Sequence, residues 1–155
     1  MAWVDLALIV IERFAGHQAM LTVARHFVVD PGRRDQRRFK RFQPKMDHGD
    51  KPILQGQRLL ESDIASAHRI GDLAQQVGLS PRTFQRRFAK ATGLSITEYG
   101  QRVRVEQAKA LLANTQRSIP EVAVAVGYSD VPAFYRVFQK LVGMPPAGFR
   151  SAVQG

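Results

Sequence analysis

One short pattern occurs twice in this 155-residue chain. Ile70, Leu73, Ala74, Val77, Gly78 and Ser80 return 49 residues later as Ile119, Val122, Ala123, Val126, Gly127 and Ser129. One residue is then inserted. Phe84, Arg86, Phe88, Lys90 and Gly93 return 50 residues later as Phe134, Arg136, Phe138, Lys140 and Gly143. The apolar members of each first set have helical spacing, and the glycine after them suits the left-handed turn that ends a helix. In the first copy Ser80 is placed to cap the next helix, with Pro81 at its first position. The pattern therefore specifies a helix-turn-helix pair built twice.

The rest of the chain reads as helix too, giving an all-α fold in which two helix-turn-helix units are joined by a long linker helix and preceded by two N-terminal apolar helices. Residues 2–14 are almost wholly apolar, Gly16 breaks the run, and a second helix is expected over 17–28, ended by Pro31-Gly32. A basic run from Arg33 to Arg41 follows. Residues 1–42 are read as one domain, 43–50 as a linker and 51–155 as the second domain. Its first helix is expected over 51–65. The first helix-turn-helix spans about 69–92. Ser95-Ile-Thr-Glu98 is a capping box that opens a helix to about Asn114, with Val105, Ala108, Leu111 and Leu112 as its apolar stripe. Ser118-Ile-Pro-Glu121 is a second capping box. The second unit follows to about Leu141, and Pro145-Pro146 starts a short last helix.

Composition limits what such a chain does. With 23 Lys+Arg against 13 Asp+Glu the net charge is +10 and favours a polyanionic partner, nucleic acid or an anionic membrane. The chain has no cysteine, so disulfides, thiolate catalysis and cysteine zinc sites are excluded. His17, His26, His48 and His68 are scattered without metal-ligand spacing, and no paired carboxylates suggest an enzyme, so no metal, cofactor or catalytic residue is expected. The apolar run at the start carries Asp5, Glu12 and Arg13 and falls short of the roughly 20 residues a membrane span needs. A cytoplasmic protein with no membrane partner is expected. Helix 2–14 has almost no cationic face to bind anionic lipid.

Helical geometry selects the outward face of each second helix. Phe84 and Phe88 are four apart and large, so they point inward; the opposite side carries Arg82, Gln85, Arg86 and Ala89. Arg and Gln make two-pronged hydrogen bonds to guanine and adenine edges in the major groove. In the second unit Phe134 and Phe138 point inward, leaving Pro132, Tyr135, Arg136 and Gln139 outside with Val131 near the leading end. The candidate DNA-contact residues are therefore Ser80, Arg82, Thr83, Gln85 and Arg86 in the first unit, and Ser129, Val131, Pro132, Tyr135, Arg136 and Gln139 in the second. A linker helix of about 20 residues is roughly 30 Å long, close to the roughly 34 Å between successive major-groove faces. The two outer faces differ, so one chain is expected to read an asymmetric site. The basic run at Arg33–Arg41 is a solvated linker or adds phosphate contacts without sequence information.

Residues 69–150 resemble the DNA-binding domain of the AraC/XylS family of bacterial transcription regulators. The resemblance is carried by Ser118-Ile-Pro-Glu-Val-Ala, Val126-Gly-Tyr-Ser-Asp, Phe134-Tyr-Arg-Val-Phe-Gln-Lys, Gly143-Met-Pro-Pro and Phe149-Arg150, together with the doubled unit and the linker helix. It implies sequence-specific binding to double-stranded DNA in transcriptional control, with RNA polymerase as a further partner. The family's base-reading positions fall on Arg82, Gln85 and Arg86, and on Val131, Pro132, Tyr135 and Arg136, where Val131 and Pro132 depart from the polar residues often found. Residues 1–42, through Trp3-Val-Asp-Leu and Val28-Val-Asp-Pro-Gly-Arg-Arg-Asp-Gln36, resemble the tail of the class-I glutamine-amidotransferase-like domain that precedes this module in one subgroup. On that resemblance most of the sensing domain is missing, and helix 2–14 needs a partner for its apolar surface. Self-association through residues 2–28 is expected. The competing reading is a truncated, weakly binding or modulatory fragment using the same helices.

Overall fold

A computed structural model describes residues 41–65 and 69–155, together with Val10 and Arg13. The expected helices at 2–14 and 17–28, and the self-association surface on them, lie outside the described residues. The chain divides into Met1–Lys40 and a compact unit, Arg41–Gly155. Among the described residues of the latter are seven helices and no strand: α1 (Lys51–Ser62), α2 (Ile70–Gln76), α3 (Pro81–Thr92), α4 (Ile96–Asn114), α5 (Ile119–Ala125), α6 (Val131–Val142) and α7 (Pro146–Gln154).

Local chemistry starts and stops these helices. Ser80 accepts the Thr83 amide at the start of α3, and Gly93 ends that helix at φ 75°. Both capping boxes form: Ser95 with Glu98 on α4, and Ser118 with Glu121 on α5. The serine hydrogen bonds hold both glutamate carboxyls below their ordinary values. In the second unit the cap is Asp130, which accepts the Ala133 amide at 3.0 Å, and not Ser129. The inserted residue moves the capping position one place along, so Asp130 stands where the 50-residue offset places Ser80.

The interior forms two apolar cores. One joins Ile53, Leu60, Leu73, Ala74, Val77, Phe84, Phe88, Ile96, Tyr99 and Val103. The other joins Val105, Ala108, Leu112, Val122, Ala123, Val126, Phe134, Phe138, Val142 and Phe149. Helix α4 serves both. Its first half turns Ile96, Tyr99 and Val103 to one core, and its second half turns Val105, Ala108 and Leu112 to the other. At about 100° per residue these stripes lie on nearly opposite sides of the helix.

The repeat is larger than the helix-turn-helix. Ile53, Gly56, Gln57 and Leu60 of α1 match Val105, Ala108, Lys109 and Leu112 of α4, each 52 residues on, and all eight are buried. Tyr99 matches Phe149 50 residues on. Tyr99 meets Phe88 edge-on at 5.2 Å, as Phe149 meets Phe138 at 5.8 Å. Each unit is thus a four-helix arrangement, and α4 ends one and begins the other. Gly56 lets α1 close on the first core, because a Cβ there would come within 2.8 Å of the Phe84 ring.

Two boundaries differ from expectation. Helix α1 stops at Ser62 instead of reaching 65. Beyond it Ile64 packs against both cores. The expected linker at 43–50 is packed against the helices. Phe42 lies edge-on to Tyr99 at 5.5 Å beneath the Arg102 guanidinium. Buried Gln57 donates to the Lys45 carbonyl and to the Tyr99 hydroxyl, and pairs with His48 at 2.8 Å. The Tyr99 hydroxyl donates in turn to Glu61, and burial pushes this phenol far above its ordinary pKa.

Candidate nucleic-acid interface

The outer face of α3 is built by the inner one. Phe84 and Phe88 have no exposed surface and stack edge-on at 5.7 Å, which fixes the helix's rotation about its axis. Arg82, Gln85, Arg86 and Ala89 are then exposed together on the far side. Ser80 is exposed at the start of the helix. Thr83 is half-buried and belongs to the cap: its hydroxyl accepts from Ser80 at 2.9 Å while its amide donates to the same oxygen. Arg87, on the flank of α3, was not a sequence candidate. It grips Asp50, the cap of α1, through Nε at 3.0 Å and Nη2 at 2.7 Å. That pairing is the leading cause of the low Asp50 pKa. It ties α3 to the chain entering the domain, and only the tertiary fold brings together residues 37 apart.

Phe134 and Phe138 fix α6 in the same way, both fully buried. Pro132, Arg136 and Gln139 are exposed, and Ser129 is exposed ahead of the helix. Val131 and Tyr135 are half-buried and pack on the second core, with the Tyr135 ring 6.2 Å from Phe134. Arg136 lies 3.7 Å from Asp130, and both are largely exposed, so this pair holds the guanidinium only weakly. All eleven sequence candidates fall on α3, α6 or the residues before them. Seven are exposed outside the cap of α3: Arg82, Gln85, Arg86, Ser129, Pro132, Arg136 and Gln139.

The first face offers two free guanidiniums and a carboxamide, the groups that pair two-pronged with purine edges. The second offers one guanidinium and one carboxamide among apolar side chains, suited to a thymine methyl beside a single polar contact. Helix α4, at 19 residues, is about 29 Å long. Among the described residues no cluster of three or more metal-ligating side chains occurs, and no helix is long and apolar enough to cross a membrane.

A family model described as "Helix-turn-helix domain" matches residues 73–152. The Msm operon regulatory protein of Streptococcus mutans is 36% identical over 102 residues, 66% of this chain and 37% of its own length. A Chromobacterium violaceum transcriptional regulator described as an AraC-type DNA-binding domain-containing protein superposes with a TM-score of 0.62 and 27% identity, covering 65% of this chain and 90% of its own. The DNA-binding domain of AdpA, a global transcriptional factor solved in complex with a target DNA, gives a TM-score of 0.62 and 30% identity over 65% of this chain and 91% of its own. The chain spans about a third of the length of the curated relatives it matches.

Proposed function

We propose, since this chain belongs to the AraC-type family of helix-turn-helix DNA-binding domains, that it regulates transcription by inserting α3 and α6 into adjacent major grooves of one asymmetric DNA site. The observation that carries this reading is the pair of buried Phe couples, Phe84–Phe88 and Phe134–Phe138, which turn two unlike polar faces outward from one frame. Arg82, Gln85 and Arg86 read the first cluster of bases. Tyr135 and Arg136 read the second, with Val131 and Pro132 in apolar contact and Gln139 at the far edge. Ser80, Thr83 and Ser129 sit where phosphates pass the start of each recognition helix. The net charge of +10 supplies the salt-dependent part of the affinity.

RNA polymerase and a second copy of the chain, joined through residues 2–28, are the protein partners in this reading, and the cytoplasm its place. The glutamine-amidotransferase-like origin of residues 1–42 belongs to the same proposal. Selection of binding sites from a random duplex library, with the full chain at about physiological salt, tests the core of it. One asymmetric motif with two unlike clusters about one helical turn apart is the expected outcome. A palindrome or a single cluster would refute the two-unit reading. No enrichment by a folded protein would favour the weakly binding fragment.

A further inference from the structure

We propose that Ile64 and Ala65, just beyond α1, form a clamp that fixes α3 relative to α6, so that the protein accepts only one spacing between its two base clusters. The proposal rests on the two-cluster reading above. It starts from the place where the repeat loses its symmetry. Helix α1 matches the second half of α4 at an offset of 52, whereas α2 matches α5 at 49. The α1–α2 connection is therefore three residues longer than its counterpart between α4 and α5. Ile64 and Ala65 lie in it, and they reach the other unit.

Three contacts converge there. Ile64 packs against both apolar cores. Gly127, in the α5–α6 turn, lies so close that a Cβ on it would sit 2.8 Å from the Ala65 carbonyl oxygen and 2.9 Å from that of Ile64. Arg104 of α4 donates from Nε to the Ile64 carbonyl at 3.1 Å, with its guanidinium 5.7 Å from the centre of the Tyr128 ring. Tyr128 meets Phe134 edge-on at 5.4 Å, and Phe134 is an inner anchor of α6. A continuous path thus runs from the end of α1 to the recognition helix of the other unit. The first unit's own turn has no equivalent: Gly78 has the same left-handed conformation, at φ 69°, but a Cβ there meets nothing within 4 Å.

The physical consequence is stiffness. A single helix such as α4 resists stretching but bends. A second contact away from its axis closes a frame and removes that freedom. Removing or adding one base pair between the clusters displaces the second cluster by about 3.4 Å along the DNA. A clamped pair of recognition helices cannot follow that shift, and a hinged pair can. Arg104, Gly127 and Tyr128 are on this account positioning residues for base reading.

The test compares the unaltered chain with Arg104→Ala and Gly127→Ala on the selected site and on versions with one base pair inserted or removed between the clusters. The unaltered protein should lose roughly tenfold or more on either respaced site. Arg104→Ala should bind the original site more weakly and lose less than about threefold on respacing, a ratio that general destabilisation does not move. Gly127→Ala should do the same if it folds. A second readout needs no DNA. The chain has no cysteine, so spin labels on Lys90→Cys and Lys140→Cys report the α3–α6 distance directly. One narrow distribution is expected, broadened by Arg104→Ala. An unchanged distribution, or an unchanged spacing ratio in Arg104→Ala, overturns the clamp while leaving the two-cluster reading standing. If the unaltered chain selects no two-cluster site, the underlying reading falls and the clamp's role in spacing falls with it.

Discussion

The two helix-turn-helix units share a frame and differ in nearly everything the frame holds outward. Phe84, Phe88 and Tyr99 in the first occupy the places of Phe134, Phe138 and Phe149 in the second, with similar edge-on ring contacts. The outer positions Arg82, Gln85, Arg86 and Ala89 correspond to Pro132, Tyr135, Arg136 and Gln139, and only Arg86 and Arg136 agree. Buried positions answer to packing, where a change of one methylene is felt. Outer positions carry no such constraint and are free to differ between the copies. The units are also sealed differently. Residues 41–50 close over the first, whereas α7 closes the second, with Gln154 donating to the Leu112 carbonyl at the end of α4.

The largest effect should come from attacking the shared frame. Phe88→Ala and Phe138→Ala each remove a fully buried ring and should each cost about 3–5 kcal/mol in urea unfolding followed by far-ultraviolet circular dichroism. A cost under 1 kcal/mol for one of them would show that the two frames are not equivalent.

A smaller effect separates the seals. Asp50→Asn keeps a competent helix cap but loses the charge paired with Arg87, and should cost less than about 1 kcal/mol because the pair is partly exposed. Its pH dependence has a definite sign. The folded-state carboxyl is held below its ordinary value, chiefly by the hydrogen bond from Arg87. The stabilisation is therefore complete above the unfolded-state pKa and is lost as pH falls through the folded-state value. The gap between the unaltered chain and Asp50→Asn should be constant near neutrality and close below about pH 4. A gap that persisted at lower pH would assign the effect to the cap.

The smallest effect concerns a place where the frame carries no side chain and has room for one. Gly100 lies inside α4 where the repeat places Arg150, and a Cβ there meets nothing within 4 Å. Gly100→Ala should raise stability by about 0.5–1 kcal/mol, read as a higher urea midpoint. A loss of stability would mean that α4 needs the freedom glycine gives.

What the sequence makes legible is local. The inward Phe pairs, the capping boxes, the glycine turns and the all-α architecture follow from spacing and residue type, and the family is readable from the same motifs. What it hides is non-local. The Arg87–Asp50 pair joins residues that nothing along the chain associates. The first-half stripe of α4 is masked because its two stripes face opposite ways and cancel when the helix is read as one amphipathic element. Residues 43–50 carry the Pro and Gly of a linker, yet Lys45 and His48 both meet Gln57 on α1, and Phe42 beside them meets Tyr99 on α4. Thr83 shows the same limit on the site itself: its hydroxyl is taken up by the Ser80 cap.

The central claim is that one chain reads two unlike clusters with two unlike faces. Site selection repeated with Arg86→Ala and Arg136→Ala tests it most directly. Each substitution should cost about 1–3 kcal/mol on the original site and much less on random DNA. Arg86→Ala should erase base preference in one cluster and leave the other intact, and Arg136→Ala should do the reverse. Equal blurring of both clusters by either variant, or equal loss on specific and random DNA, would make these arginines phosphate contacts and contradict the account.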